Sequence, residues 1–354
     1  MKKYGLNHHN VAVFDGHNDL LTRLWLSNQA NPVQAFIHEQ LSGQLDLKRC
    51  QQSGFAGGMF AIFLPPFAYV KQHYTAKLFD HNADDFTQQQ VEQICLAQLE
   101  LAQQMAQASE QIRLCTSVQQ IQDCRAQGQL AVVLHMEGAE ALQNNSDLLD
   151  IFYQAGLRSV GPLWNRISRF GHGLNARFPH SPDTGAGLTA QGKALVKRCA
   201  DKKMLVDVSH MNERAFWDTA KILQQPIVAT HSNAHALCPQ ARNLTDSQLQ
   251  AIAESGGMVG VNFDVAFLRT DGQRNADTPL TLILDHLEYM MERLGEDHIG
   301  LGSDFDGALI STELQDVTGL PLLIAAMQQR HYSAELIEKI CWNNWLKVMH
   351  RIWA

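Results

Sequence analysis

Five stretches of this sequence place imidazole and carboxylate groups directly after short apolar runs. They are Asp15-Gly16-His17-Asn18-Asp19, His135-Met136-Glu137-Gly138, Asp207-Val208-Ser209-His210, Ala229-Thr230-His231-Ser232 and Gly302-Ser303-Asp304-Phe305-Asp306-Gly307. An HxD pair such as His17 and Asp19 is a weak signal alone, although on extended backbone side chains two apart point the same way. Singly, His17 or His231 could bond a carbonyl at a strand end, and Glu137 could pair with an arginine. Gathered in one pocket, His17, Asp19, Glu137, His210, His231 and Asp304 would be costly without cations to compensate them. Imidazole with carboxylate favours zinc, with manganese, cobalt or iron as alternatives. The five strong ligands exceed the three that a catalytic zinc typically keeps. Two metals sharing Glu137 resolve the count: His17, Asp19 and Glu137 on one, and Glu137, His210 and His231 on the other. Such ions, roughly 3.5–4 Å apart, can share a water, lower its pKa towards neutrality and polarise a carbonyl. Asp304 is then free to take the nucleophile's proton and deliver it to a leaving amine. That chemistry is hydrolysis of an amide or ester. Arg242, in the loop after His231, could fix a substrate carboxylate with both arms of its guanidinium, or simply pair with Asp246 at the surface.

Those groups can meet only if the elements carrying them converge. The apolar runs read 11–14, 58–63, 130–134, 158–163, 204–208, 226–230, 258–263 and 299–302. They are rich in Val and Ile without clean alternation, as parallel strands buried on both faces are. Helical patterns lie between them, at 84–108, 188–203, from Thr245 onward, 279–293 and from Ser333 onward. Thr245 with Gln248 three residues on has the form of a capping box. About eight alternations of strand and helix predict an α/β fold, a (β/α)8 TIM barrel. In such a barrel the C-terminal ends of all strands meet at one face, which is where these motifs fall. A doubly wound open sheet is the competing architecture, and the absence of GxGxxG after the first strand weighs against its dinucleotide-binding form. No linker or low-complexity segment breaks the chain, so 1–354 reads as one domain. The Gly/Pro/Asn-rich stretch 165–189 is a long connection, either a lid or a surface excursion.

Composition narrows the partners. The 354 residues are 45% hydrophobic, with fifteen Phe and six Trp, which excludes disorder. The net charge of −8, without a basic run, argues against nucleic acid and anionic membrane surfaces. Seven scattered cysteines in no paired spacing read as free thiols in a reducing compartment. Met1 to Asn10 has the lysines of a signal peptide but no apolar segment after them, and no run is long enough to span a bilayer. A cytoplasmic enzyme is expected.

The combination Phe14-Asp15-Gly16-His17-Asn18-Asp19-Leu20, Glu137-Gly138, Asp207-Val208-Ser209-His210, Thr230-His231-Ser232, Ala241-Arg242-Asn243-Leu244 and Gly302-Ser303-Asp304-Phe305-Asp306-Gly307 resembles the membrane (renal) dipeptidase family of zinc metallopeptidases, in its bacterial soluble branch. The resemblance runs in order over nearly the whole chain. It implies an amidohydrolase-like barrel with a binuclear zinc centre, two Zn2+ per chain, and hydrolysis of dipeptides, including those with a D-residue at the C-terminal position. It also implies His17, Asp19, Glu137, His210 and His231 as ligands with Glu137 bridging, Asp304 as acid/base, Arg242 on the substrate carboxylate, and a homodimer. One departure stands out. Mammalian members carry an oxyanion-stabilising histidine after the fourth strand, where Gly161-Pro162-Leu163-Trp164-Asn165-Arg166 puts Trp164. Asn165, Arg166 or His172 could substitute for it. The C-terminus, Met349 to Ala354, carries no lipid-anchor signal.

Two other readings compete. His210-Met211-Asn212-Glu213 resembles the spacing by which a mononuclear nucleobase or nucleoside deaminase places a glutamate after a zinc ligand. Glu213 is equally explained as a first-turn helix carboxylate, and a bridging Glu137 has no role at one metal. A non-enzymatic metal-binding barrel would bind metal without turnover.

Overall fold

The apolar runs become the staves of a parallel barrel in the computed structural model, which describes residues 11–38, 42–78, 80, 83–174 and 177–354. The signal-peptide reading of Met1 to Asn10 lies outside the described residues. The strands are β1 (Val13–Asn18), β2 (Phe55–Phe63), β3 (Leu130–Glu137), β4 (Leu157–Gly161), β5 (Leu205–Val206), β6 (Val228–Ala229), β7 (Met258–Val261) and β8 (Ile299–Leu301). Their order is β5-β4-β3-β2-β1-β8-β7-β6, and every neighbouring pair is parallel. The seam between β5 and β6 is closed by a parallel bridge of Asp207 to Val228, with Val208 N–H donating to Val228 O at 2.9 Å. The fold is the (β/α)8 TIM barrel.

Two of the expected strands, 204–208 and 226–230, shorten to two residues each. The cause is local: Thr230 N–H donates to the Asp207 side chain, so these strand ends bond to each other through a carboxylate in place of a ladder. A further short strand, Ile112–Leu114, pairs with the start of β3 outside the barrel order. Three residues with Arg113 in the middle carry too little apolar pattern to announce it.

All eight residues of β3 are buried, which explains why its sequence lacks alternation. The two faces still differ. Ala131 and Val133 pack inside the barrel, with His135 and Glu137 above them at the same period, while Val132, Leu134 and Met136 join the layer under the helices. The floor of the barrel is Trp345, which is fully buried and comes from helix Asn344–Trp353. Its indole N–H donates to Leu301 O at 2.9 Å. Gly16, Gly260 and Gly300 make room for it: a Cβ on them would stand 2.4, 3.0 and 2.7 Å from the indole.

The helices begin where their caps put them. Helix Gln88–Ala108 starts four residues later than its apolar pattern suggests, because Thr87 and Gln90 form a capping box. Thr245 and Gln248 cap helix Asp246–Glu254 in the expected way. Thr189 caps helix Ala190–Asp201. Within the long connection 165–189, a small hairpin joins Ile167–Ser168 to Gly171–His172. Leu174 N–H then donates to His210 O, tying this excursion to the rim. His286, on helix Thr281–Leu294, makes a second tie: it accepts from Ala234 N–H at Nδ1 and bonds Leu268 O through Nε2, each at 3.1 Å. Among the described residues no helix is long and apolar enough to cross a membrane, and all seven cysteines are free and buried.

Candidate active site

The barrel geometry brings six of the sequence-predicted residues to one point at the strand C-termini. Glu137 ends β3, and its Oε1 lies 2.8 Å from His210 Nε2, 3.3 Å from His231 Nε2 and 3.6 Å from His17 Nε2. His17 Nε2 is 3.3 Å from Asp19 Oδ2. Three donor sets have their atoms within 4.8 Å of one another: His17, Asp19 and Glu137; Glu137, His210 and His231; and His17, His231 and Asp304.

His17 and Asp19 meet by a different route from simple alternation. Strand β1 stops at Asn18, and Asp19 caps the following helix with φ −103° and ψ 24°. Gly16 already faces the barrel interior, so strict alternation would turn His17 outward. The register of β1 against β2 shifts between Asp15 and Asn18, and that irregularity lets His17 face inward.

Neighbouring side chains set the protonation of the imidazoles. His231 Nδ1 is 2.8 Å from Thr230 Oγ1, which donates to Asp207 Oδ2 at 2.7 Å. Because that hydroxyl proton points at Asp207, His231 carries its own proton on Nδ1. His210 Nδ1 is 2.8 Å from Asn165 Oδ1, an acceptor, so the same holds there. Both rings therefore turn Nε2 lone pairs toward Glu137, only 3.1 Å apart. Second partners of this kind are what metal-binding histidines carry. Asp207 is itself saturated, its Oδ1 accepting from Ser209 N–H, Ser209 Oγ and Thr230 N–H.

The electrostatics point the same way. Burial pushes Glu137 well above the usual carboxylate range, and Asp19 and Asp304 add to it. Burial also pushes Asp304 up to about 7. Burial opposes charge on His17, yet Glu137, Asp19 and Asp304 outweigh it and raise His17 to about 10. Burial, together with Arg242 and His17, holds His210 and His231 well below the ordinary imidazole value. Carboxylates that repel one another beside unprotonated imidazoles form a site built for cations. The nitrogen and oxygen donors fit a borderline metal such as zinc.

Asp304 sits in the left-handed region at φ 61°, with its Oδ2 held by Asn262 Nδ2 at 2.9 Å. Asn262 was not foreseen from sequence, since it follows β7 without a histidine or acid to mark it. Trp164 lines the cleft, its ring 4.8 Å from that of Phe63 and 5.9 Å from that of His210. Arg242 is only 2% exposed and its guanidinium reaches the centre. Its Nη1 donates to Ser232 Oγ and its Nη2 to His231 O, each at 2.8 Å, and Nη2 lies 3.3 Å from His210 Nε2. Among the described residues its buried Nε has no hydrogen-bond partner, and Arg242 is not one of the residues that line the cleft. The surface pairing with Asp246 does not form; Asp246 pairs with Arg293. Glu213 opens helix Glu213–Ile222 and is absent from the cleft lining, as a first-turn helix carboxylate would be. His135 packs below the centre with its Nδ1 2.8 Å from Ser159 Oγ, and burial lowers it to about 4.

The cleft over these groups has a volume of about 390 Å³ and is lined also by Tyr69, Tyr74, Phe267 and Arg274. That space suits a small molecule.

Comparison with known proteins agrees with this geometry. A protein from Rhodobacter sphaeroides, a metallo peptidase solved with a phosphinate mimic of the dipeptide L-Ala-D-Ala, is 44% identical, with a TM-score of 0.91 over 97% of this chain and 100% of that one. The solved structure of dipeptidase AC, a metallo peptidase of family M19, is also 44% identical, with a TM-score of 0.90 over 98% of this chain and 99% of that one. An Acinetobacter calcoaceticus protein described as lying in the PQQ-III 3' region is 75% identical over 80% of this chain and 90% of its own length. Residues 6–353 match the family described as membrane dipeptidase, peptidase family M19. With the barrel, the clustered donors and this match over nearly its full length, the chain belongs to the membrane dipeptidase family of metallopeptidases.

Proposed function

We propose that the chain is a zinc-dependent dipeptidase that cleaves the peptide bond of free dipeptides, L-Xaa-D-Xaa substrates among them. The observation that carries this reading is the pair of donor sets sharing Glu137, with Asp304 beside them. Two Zn2+ per chain fit it, one on His17, Asp19 and Glu137 and one on Glu137, His210 and His231, with Glu137 common to both. When bound, the zinc ions polarise the scissile carbonyl and acidify water.

The protein's own groups do the rest. Asn262 holds one oxygen of Asp304, which leaves the other to take the proton of the attacking water and pass it to the leaving nitrogen. Arg242, whose Nη2 lies 3.3 Å from His210 Nε2, is assigned to the substrate's terminal carboxylate. Trp164 and Phe63 form an apolar wall along the substrate. A cleft of about 390 Å³ favours a dipeptide over a longer peptide. The bound L-Ala-D-Ala mimic in the Rhodobacter sphaeroides protein supports tolerance for a D-residue.

We further assign a cytoplasmic, homodimeric protein made of one domain over 1–354. The seven buried free thiols support a reducing compartment. Light scattering of the purified protein checks the dimer.

The direct test is a hydrolysis screen of L,L- and L,D-dipeptides with zinc-reconstituted protein and a chelator-treated control. Metal-dependent cleavage, strongest among L-Ala-D-Xaa substrates, is the expected result. No cleavage across the panel with both metals bound would move the activity to another amide or ester.

A further inference from the structure

A dipeptidase must stabilise the negative oxygen that forms when water adds to the scissile carbonyl, and by the resemblance Trp164 stands where mammalian members carry a histidine. Three nearby residues could take over: Asn165, Arg166 and His172. The structure separates them. Arg166 is drawn away from the centre, its Nη2 donating to Leu64 O at 2.5 Å and its Nε 3.3 Å from Glu140. Its guanidinium carbon also lies over the Trp164 ring, 4.7 Å from the centroid. His172 belongs to the rim hairpin, where it packs against Gly185. Neither lines the cleft, whereas Asn165 does, together with Glu137, His210, His231 and Asp304.

The orientation of the Asn165 amide is fixed by its neighbour. Its Oδ1 faces His210 Nδ1 at 2.8 Å, and an imidazole that keeps Nε2 free for a metal must carry its proton on Nδ1. The carbonyl end is therefore committed as acceptor, and Nδ2 carries two protons on the other side. Among the described residues Nδ2 has no hydrogen-bond partner, and Asn165 is one of the residues that line the cleft.

We propose that Asn165 has two linked roles: its oxygen positions His210, and its amide N–H donates to the substrate oxyanion in place of the missing histidine. This rests on the dipeptidase reading. A donor fixed in advance by a second hydrogen bond loses little freedom when the negative charge develops, which is the condition for strong transition-state stabilisation.

Asn165→Asp separates the roles, since it keeps an acceptor for His210 and removes the donor. Metal content is measured alongside kcat and KM for L-Ala-D-Ala and the affinity for a phosphinate mimic of that dipeptide. The variant is expected to retain its metals and a KM within about threefold, while kcat and phosphinate affinity each fall about 100-fold or more. Asn165→Ala should lose kcat as well and also yield its metals to a chelator about tenfold more readily. Trp164→Phe, which removes the indole N–H, should shift substrate and phosphinate affinity together and leave their ratio intact.

Wild-type kcat and phosphinate affinity in Asn165→Asp overturn the proposal. A collapsed ratio in Trp164→Phe does so too, by making the indole the donor. Loss of metals from Asn165→Asp overturns the positioning role. If the wild-type protein cleaves no dipeptide, the dipeptidase reading falls, and chelator retention in the two Asn165 variants still decides the contact with His210.

Discussion

Replacing Thr230 by valine tests how the protein prepares His231. The hydroxyl is fully buried, and valine has nearly the same shape, so the change removes polarity without opening a cavity. Three contacts disappear: the donation to Asp207 Oδ2 at 2.7 Å, the contact with His231 Nδ1 at 2.8 Å and a longer one with Ser209 Oγ at 3.3 Å. Asp207 keeps the three donors on its other oxygen, Thr230 N–H among them, so the strand ends stay joined. A hydrogen bond to a charged group contributes about 1.5–3 kcal/mol, and a buried donor left unpaired costs about 1–3 kcal/mol. The metal-free protein should therefore lose roughly 2.5–6 kcal/mol of stability, read from urea unfolding. With its Nδ1 proton unsupported, His231 is free to switch tautomer and turn a proton toward the metal. Removal of such a partner typically lowers metal affinity about 10–100-fold, measurable by competition with a chromogenic chelator. Metal affinity within twofold of wild type, with unchanged unfolding, would show that the Asp207–Thr230 relay does not set this histidine.

Asp304→Asn should retain both metals and lose about 100- to 10,000-fold in kcat; Asn tolerates the left-handed backbone at this position, so full activity in a steady-state assay would remove the acid/base role. Arg242→Ala should mainly raise KM for free dipeptides, and an unchanged KM would take Arg242 off the substrate carboxylate. For His286 the sign follows from its environment. Burial holds it at about 4 against an ordinary 6.5, so between these values the unfolded chain binds more protons. Its contribution is complete above pH 6.5 and is lost as pH falls towards 4, by up to roughly 3 kcal/mol. Urea midpoints of wild type and His286→Gln, followed from pH 7.5 to 4.5, should converge as the pH falls; parallel curves would rule out His286 as a source of acid sensitivity.

The barrel and the six central residues were legible because both follow rules of short range. Parallel strands announce themselves as apolar runs, and their C-terminal ends share one face, so histidines and acids after the runs had to meet. What was hidden depends on contacts distant in sequence. The shift in β1 that turns His17 inward arises against β2, and no residue type marks it. Asn262 acquires meaning only once the eighth strand brings Asp304 against it. The motif Asp207-Val208-Ser209-His210 was visible through His210, but the part of Asp207 as the anchor of Thr230 was not. Arg242 could have paired with Asp246 at the surface, but its guanidinium is buried against Ser232 and the His231 carbonyl, contacts its loop sequence does not mark. Strand Ile112–Leu114 was missed because it is too short to show a period.

The indole of Trp345 gives the barrel a long assembly history. Its neighbours Gly16, Gly260 and Gly300 belong to β1, β7 and β8, yet the ring arrives with a helix that follows all of them. During synthesis the first strands emerge before the ring that completes the packing of their inner face. Contacts this remote are slow to form and leave apolar surface uncovered meanwhile. Nascent chains halted before Trp345 should therefore stay protease-sensitive and engage chaperones however many strands they already contain. The residue that closes the floor of the barrel thereby ties completion of its interior to a helix that follows every strand.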